Sequence, residues 1–363
     1  MKPLLFTPRL LGHLRRRAGL FGTAAPKPFF GIVRNMVGGP AVRTRRMIAE
    51  FGNALFAPNL VYAQSGWNSA ELQGAIAFRA ADHAPLVFNQ NGWYYPGWYS
   101  GDWRTANAAL VKVQQAADVV VFQSKFCRDA GLALTGSAPA KSEVLYNAVP
   151  HFAAVTKARG SSTGGPTIWL SAVFTPDTEH ILTPAIAALA ILRKRIDPRI
   201  APRLLLCGRI DPQTRAAPWF HTVERVLARL EAEGACEWIG QYAPGDLPQL
   251  LARADIALHL RYKDCCPNAV IERMMTGLPH VYSNSGGTPE LVGAAGIGLD
   301  VGDTWERQVP VDATALADAI DEALARRAVL ADAAIEESRR FDWGHYIARH
   351  REIFEDLLAR RGA

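Results

Sequence analysis

The chain has 363 residues, with 40 Lys and Arg against 34 Asp and Glu, 49% hydrophobic residues, 30 Gly and 23 Pro. That composition is globular and long enough for two domains, which excludes disorder of the whole chain. No stretch approaches the roughly 18 uninterrupted apolar residues of a spanning helix, so no membrane crossing is expected.

The charge is uneven. The first 50 residues hold ten Lys or Arg and one acid, Glu50, which leaves 30 basic against 33 acidic residues in the remainder. The start sets Leu4, Leu5, Phe6, Leu10, Leu11 and Leu14 around Arg15–Arg17. It reads either as a segment that lies on an anionic inner-leaflet surface or as a solvated basic extension, here residues 1–28. Zinc-finger spacing and RNA-binding aromatics are absent, so no nucleic-acid partner is expected. Arg9 and His13 interrupt the apolar stretch, which argues against a signal peptide and for a cytoplasmic protein, peripheral at the inner membrane.

Next comes a strand at Phe29–Val33, then Gly38-Gly39-Pro40, then a helix at Ala41–Phe51. Glycines between strand and helix allow close backbone approach to a ligand, or simply make a turn. Strands follow at Asn59–Ala63, Pro85–Asn89 and Asp118–Phe122, alternating with helices at Ser69–Ala81 and Arg104–Ala117. The stretch Asn89–Tyr99 carries Asn91 and the aromatics Trp93, Tyr94, Tyr95, Trp98 and Tyr99. Exposed aromatics stack on sugar rings, and buried ones pack a loop.

Arg159–Pro166, reading RGSSTGGP, is a linker. Beyond it the alternation restarts, with strands at Thr167–Val173, Arg203–Cys207, Cys236–Ile239, Asp255–His259 and His280–Ser283. Helices separate them at Thr183–Arg195, Thr222–Glu233, Pro248–Arg253 and Asn268–Thr276. The tail Ala315–Arg361 reads as helices broken near Phe341–Gly344. Such alternation predicts an α/β protein of two doubly wound domains with parallel sheets and C-terminal helices. Ligands in such sheets sit outside the carboxyl ends of the strands. The five cysteines, Cys127, Cys207, Cys236, Cys265 and Cys266, are odd in number and lack zinc spacing, so neither a disulfide framework nor a metal site is expected.

The most informative stretch is Lys263–Glu290. Pro267 starts a helix whose first-turn amides, Asn268, Ala269 and Val270, face an anion, and Glu272 lies about one turn in, within reach of a sugar hydroxyl. Taken alone, Pro267 and Glu272 also fit an ordinary helix with a solvent-facing glutamate. The stretch further has Asp264, seven residues, Glu272, then Gly277-Leu278-Pro279 and Gly286-Gly287-Thr288-Pro289-Glu290. These features in register resemble the family 4 retaining glycosyltransferases of the GT-B fold, in which two Rossmann-like domains face a cleft. The Asp264-x-Cys266-Pro267-Asn268 form is similar to that of a bacterial subgroup.

That resemblance implies residues 29–158 as an acceptor domain, 159–166 as linker, 167–340 as the donor-binding domain and 341–363 as a C-terminal helix packing back on the first domain. Asp264 and Glu272 would be the catalytic residues. Gly38, Gly39, Arg209, Lys263, Pro267, Asn268, Ala269, Val270 and Glu272 would bind the donor, and Asn91, Trp93, Tyr94 and Tyr95 the acceptor. Asp264 departs from the family's glutamate by one methylene. The Arg and Lys that the family places after the first strand of the second domain are missing from Ser171–His180, and Arg209, Lys263 or His180 would have to replace them. His180 and His83 are also acid–base candidates. No Asp-x-Asp pair occurs, which together with the resemblance implies transfer without a metal or cofactor.

The expected activity is retaining transfer of a hexose from a nucleoside-diphosphate sugar to a glycan or lipid-linked acceptor, in bacterial surface polysaccharide synthesis. The alternatives are a GT-B binding or scaffold protein without turnover, and a nucleotide-sugar epimerase.

Overall fold

Hydrophobic runs that are buried along their whole length need cover on both faces, and parallel sheets supply it. In the computed structural model, which describes residues 25–32, 38–150, 165–197 and 200–362, the chain builds two such sheets. The basic segment 1–24 and residues 159–164 of the linker lie outside the described residues.

The first sheet takes β1 (Pro28–Phe29), β2 (Leu60–Gln64), β3 (Leu86–Gln90), β4 (Val119–Phe122) and β5 (Ser142–Val144) in chain order, all parallel. Every residue of β2, β3 and β4 is buried. The second sheet contains β6 (Thr167–Ser171), β7 (Arg203–Cys207), β8 (Cys236–Gly240), β9 (Ile256–His259), β10 (His280–Ser283) and β11 (Gly296–Leu299). Its order is β11-β10-β9-β6-β7-β8, again all parallel. Chain direction across the sheet therefore reverses between β6 and β9.

The chain divides into two compact units. One holds residues up to 95, 99–148 and those from 343 onward; the other holds 96–98 and 149–342. In the first unit the helix Trp343–Gly362 contributes Tyr346, Ile347, Ile353, Phe354 and Leu357 to the core around Phe30, Tyr62 and Val121. Arg349 grips Glu143 of β5 through two bonds of 2.7 Å, which fixes this helix to the sheet edge. In the second unit, one face of the sheet packs Ile168, Leu170, Leu206 and Leu258 on the helices Glu179–Arg195, Pro218–Ala232 and Ala313–Ala325. The opposite face packs Trp169, Leu205 and Ala257 against Leu251 and Leu278.

Local chemistry sets the helix ends. Asn68 and Glu71 form a reciprocal cap before Ser69–Asp82, and Ser124 accepts the Cys127 amide at 3.0 Å before Lys125–Thr135. Two boundaries correct the sequence reading. The helix predicted from Ala41 already starts at Gly38, because a first helical turn needs no internal N–H partners and so tolerates Pro40. The helix predicted from Thr183 starts at Glu179 and continues through Pro184.

His350 is fully buried in the first core. Its Nδ1 donates to the Tyr346 carbonyl at 2.9 Å, so its Nε2 accepts from the Tyr62 hydroxyl at 3.0 Å. Burial brings its pKa down to about 4. The neutral ring is therefore retained in the folded unit while the unfolded chain takes up a proton as pH falls below about 6.5. Stability is unaffected above that pH and falls by up to about 3 kcal/mol by pH 4. Urea unfolding near pH 7.5 and near pH 4.5 should show wild type losing about 2 kcal/mol more than His350→Gln.

Candidate functional site

Where the order of a parallel sheet reverses, the loops leaving the two central strands diverge and open a crevice at their carboxyl ends. Here those loops leave β6 at Ser171 and β9 at His259. The β9 loop carries Lys263, Asp264 and Pro267 into the short helix Asn268–Met274. The loop after β10 folds over it: Gly287 donates to the Asp264 carbonyl at 2.7 Å, and Ser285 Oγ accepts the Lys263 amide at 3.0 Å. Gly286 makes this approach possible. It has φ +69°, and a Cβ there would meet the Asp264 backbone, with the amide nitrogen at 2.7 Å.

Asp264 is tuned by what surrounds it. Its Oδ2 lies 3.5 Å from Nε2 of buried His259. Burial raises its pKa, but the facing His259, the charge of Arg261 and the Cys266 amide outweigh that and hold the carboxyl below its ordinary value. His259 is held down, chiefly by burial, so the pair is a carboxylate facing a neutral imidazole. Glu272 is half-buried on the helix that begins at Asn268.

Several predicted residues need correction. The Val270 amide is already used, donating to Pro267 at 3.0 Å, which leaves Asn268 and Ala269 as the first-turn donors. Pro267 is the buried residue preceding the helix. Lys263 is buried, with its ammonium paired to Asp303 and 3.9 Å over the Trp305 ring, so its charge is neutralised locally. Arg209 is exposed after β7, where it lines a hollow of about 610 Å³ with Arg215, Glu224 and Trp238, on the far side of β6 from β9. His180 is buried with Nδ1 at 2.8 Å from the Asp177 carbonyl, and burial takes its pKa down to about 4, too low for a proton carrier near neutrality. His83 is the left-handed residue, φ 50°, that ends the helix Ser69–Asp82.

In the first unit, Gly38 and Gly39 fall within a helical turn rather than a strand-to-helix loop. Trp93 and Tyr95 are 4% and 5% exposed, and the Trp93 indole donates to the Cys127 carbonyl at 2.8 Å. They pack the loop rather than offer stacking faces. Tyr94 is half-buried against Tyr99, with ring centroids 4.5 Å apart. Asn91 belongs to a polar layer at the carboxyl ends of β2–β4, where Arg43 donates to Gln64 and Asn91, each at 2.8 Å, and to Asn147 at 3.0 Å.

Two arginines of the second unit escaped sequence reading. Arg261 is exposed just beyond β9, and its charge is felt by His180, His259 and Asp264. Arg273 is 2% exposed and donates to Ser171 Oγ at 2.5 Å and to the Leu258 carbonyl at 3.3 Å. No group of His, Cys, Asp and Glu suited to a metal ion occurs among the described residues.

Comparison with known proteins places this geometry. Residues 177–341 match the family model of glycosyl transferases group 1. The stretch from Asp264 to Glu290 lies inside the match. No curated protein matches the sequence. Among solved structures, Anabaena HepE in complex with UDP and glucose is 20% identical with a TM-score of 0.64, covering 88% of this chain and 82% of that one. Sucrose-phosphate synthase from Thermosynechococcus elongatus is 18% identical with a TM-score of 0.62, covering 88% and 78%. A glycosyltransferase from Rickettsia africae is 17% identical with a TM-score of 0.60, covering 86% and 79%. At these identities the likeness carries the fold, which is that of GT-B glycosyltransferases: two parallel Rossmann-like sheets with C-terminal helices.

The Gly286 contact yields a paired prediction. Gly286→Ala combines a left-handed backbone with a clash and should destabilise by about 2–4 kcal/mol. Gly136→Ala, at φ +66° with open space around it, should cost about 1 kcal/mol. Denaturant unfolding of the two variants isolates the clash from the backbone penalty, and equal losses would show that the β10 loop yields freely.

Proposed function

We propose that the protein is a retaining glycosyltransferase of the family 4 type, which moves a hexose from a nucleoside-diphosphate sugar to a hydroxyl of a glycan or lipid-linked acceptor. The observation that carries this reading is the placement of Asp264 in the loop that leaves β9 and of Glu272 on the helix that follows, beside the order reversal of the sheet and within the matched region. Glu272 would hold the donor's ribose, the Asn268 and Ala269 amides its diphosphate, and Asp264 the hexose. HepE, solved with UDP and glucose, supports a nucleotide-sugar donor.

In this reading the acceptor oxygen forms a bond to the anomeric carbon on the face from which the phosphate oxygen departs, and its proton passes to that phosphate. Positive charge develops on the sugar as the bond to phosphate breaks, through an oxocarbenium-like transition state. The Asp264 carboxylate would stabilise that charge, and no protein nucleophile or metal is required. Such a reaction suits assembly of a bacterial surface polysaccharide. The basic residues 1–24 would then rest on the inner leaflet, where lipid-linked acceptors are held.

A second reading, a donor-binding protein without turnover, is favoured by the engagement of Lys263 with Asp303 and by the shorter Asp264. Product formation over a panel of nucleotide sugars and extracted acceptors separates the two. Release of an altered sugar nucleotide from donor alone would instead indicate an epimerase. For the proposed enzyme, Glu272→Ala removes charge-assisted hydrogen bonds worth about 1.5–3 kcal/mol and should lower nucleotide affinity and kcat/KM roughly 10- to 100-fold. Unchanged affinity and turnover in that variant would refute the assignment.

A further inference from the structure

The turn after β6 reads Ala172-Val173-Phe174-Thr175-Pro176-Asp177 and contains no cation, although a departing diphosphate needs positive charge nearby. Lys263 is engaged by Asp303, and Arg209 lies on the far side of β6. Two cations remain at the sheet reversal: Arg261 is exposed beyond β9, and Arg273 is buried and held by hydrogen bonds. The Arg273 guanidinium bonds Ser171, the last residue of β6, and Leu258, inside β9, so it spans the two strands between which chain order turns back. Both partners are neutral.

A guanidinium buried without a carboxylate bonded to it is costly, because desolvation is not repaid by an opposite charge. Neutral polar groups of the same shape would staple the helix Asn268–Met274 to the sheet at lower cost. The charge has an electrostatic use only if an anion completes it. Its bonds to Ser171 and Leu258 place it beneath the strand ends at the crevice, and its charge is felt by Cys207 at the end of β7, Tyr242 after β8 and His259 at the end of β9. Glu272, the neighbouring acid, is the residue assigned to the ribose.

We propose that Arg273 is the positioning residue whose buried charge holds the donor's diphosphate from beneath the strand ends, in place of cations on the β6 turn. This rests on the reading that a nucleoside diphosphate docks at the carboxyl ends of β6 and β9. The side chain acts through the field it sets across Ser171 and the β9 end; its hydrogen-bond partners are neutral, and the Glu272 carboxylate acts on it through space.

The test compares the intact chain with Arg273→Met and Arg273→Lys, using calorimetric titration with UDP and GDP and with uridine and guanosine. The charge role predicts that Arg273→Met weakens the preferred diphosphate about tenfold or more and changes its nucleoside less than about twofold, whereas Arg273→Lys stays within about threefold of wild type for both. Equal loss for diphosphate and nucleoside, or no loss of diphosphate affinity, would overturn the proposal and leave Arg273 a structural staple. If Arg273→Met fails to fold, Arg273→Gln takes its place under the same criteria. Absence of diphosphate binding by wild type would overturn the glycosyltransferase reading itself, and the proposal with it, a result distinct from any variant-specific one.

Discussion

The second sheet depends on one topological constraint: β6 is its first strand in sequence and lies between β7, which follows it, and β9, which arrives from the other direction. Helices that connect parallel strands must cover both faces, so the reversal sends the β6 and β9 connections to opposite sides. What remains at their carboxyl ends is an opening bordered by the loops that leave the two strands. The segment from Lys263 to Asn268, the β10 loop that Gly286 lets down onto it, and the guanidinium of Arg273 are all arranged around that opening. Losing the Gly286 approach would release Asp264 from the Gly287 amide that fixes its carbonyl.

Much of the strand framework was legible from sequence, because residues buried on both faces must be apolar throughout. Arg203–Cys207 and His280–Ser283 have the same limits in sequence and structure. β11 was missed because Gly296-Ile297-Gly298-Leu299 carries half the side-chain signal of a strand and is recognised only by pairing with β10. The Asp264–Glu290 stretch was legible for a related reason: the loop, the short helix and the following turn are contiguous, so their spacing is written in one place. What a side chain does once folded was not legible. Lys263 is claimed by Asp303, 40 positions away, and Trp93 by Cys127, 34 positions away. A charge or an aromatic ring in a list of residues gives no sign of a partner that only the tertiary fold supplies.

Among the described residues, two buried arginines show one solution used in both units. Arg43 is enclosed by the side-chain oxygens of Gln64, Asn91 and Asn147, and Arg273 by a serine hydroxyl and a main-chain carbonyl. Neither is bonded to a carboxylate. Dipolar oxygens accept from the guanidinium without cancelling its charge, whereas an ion pair would do both, although the buried Nε of Arg43 is left without a partner. Each arginine lies beneath the carboxyl ends of parallel strands, the edge at which this architecture receives ligands. The sequence gives little warning, since both residues stand on helical faces where a solvated arginine would read the same.

The state of Asp264 constrains the chemistry more tightly than its length does. A carboxyl in a buried position tends toward the protonated form, in which it would serve as an acid. Here the facing His259, the nearby Arg261 and the Cys266 amide more than offset burial, so the group is anionic. His259 does not supply a formal charge, since burial keeps it neutral, and its Nε2 lies 3.5 Å from the carboxylate. An anion fixed in this way is poorly suited to donating a proton to a leaving group and well suited to facing developing positive charge. In the proposed reaction the departing phosphate would then take its proton from the incoming hydroxyl.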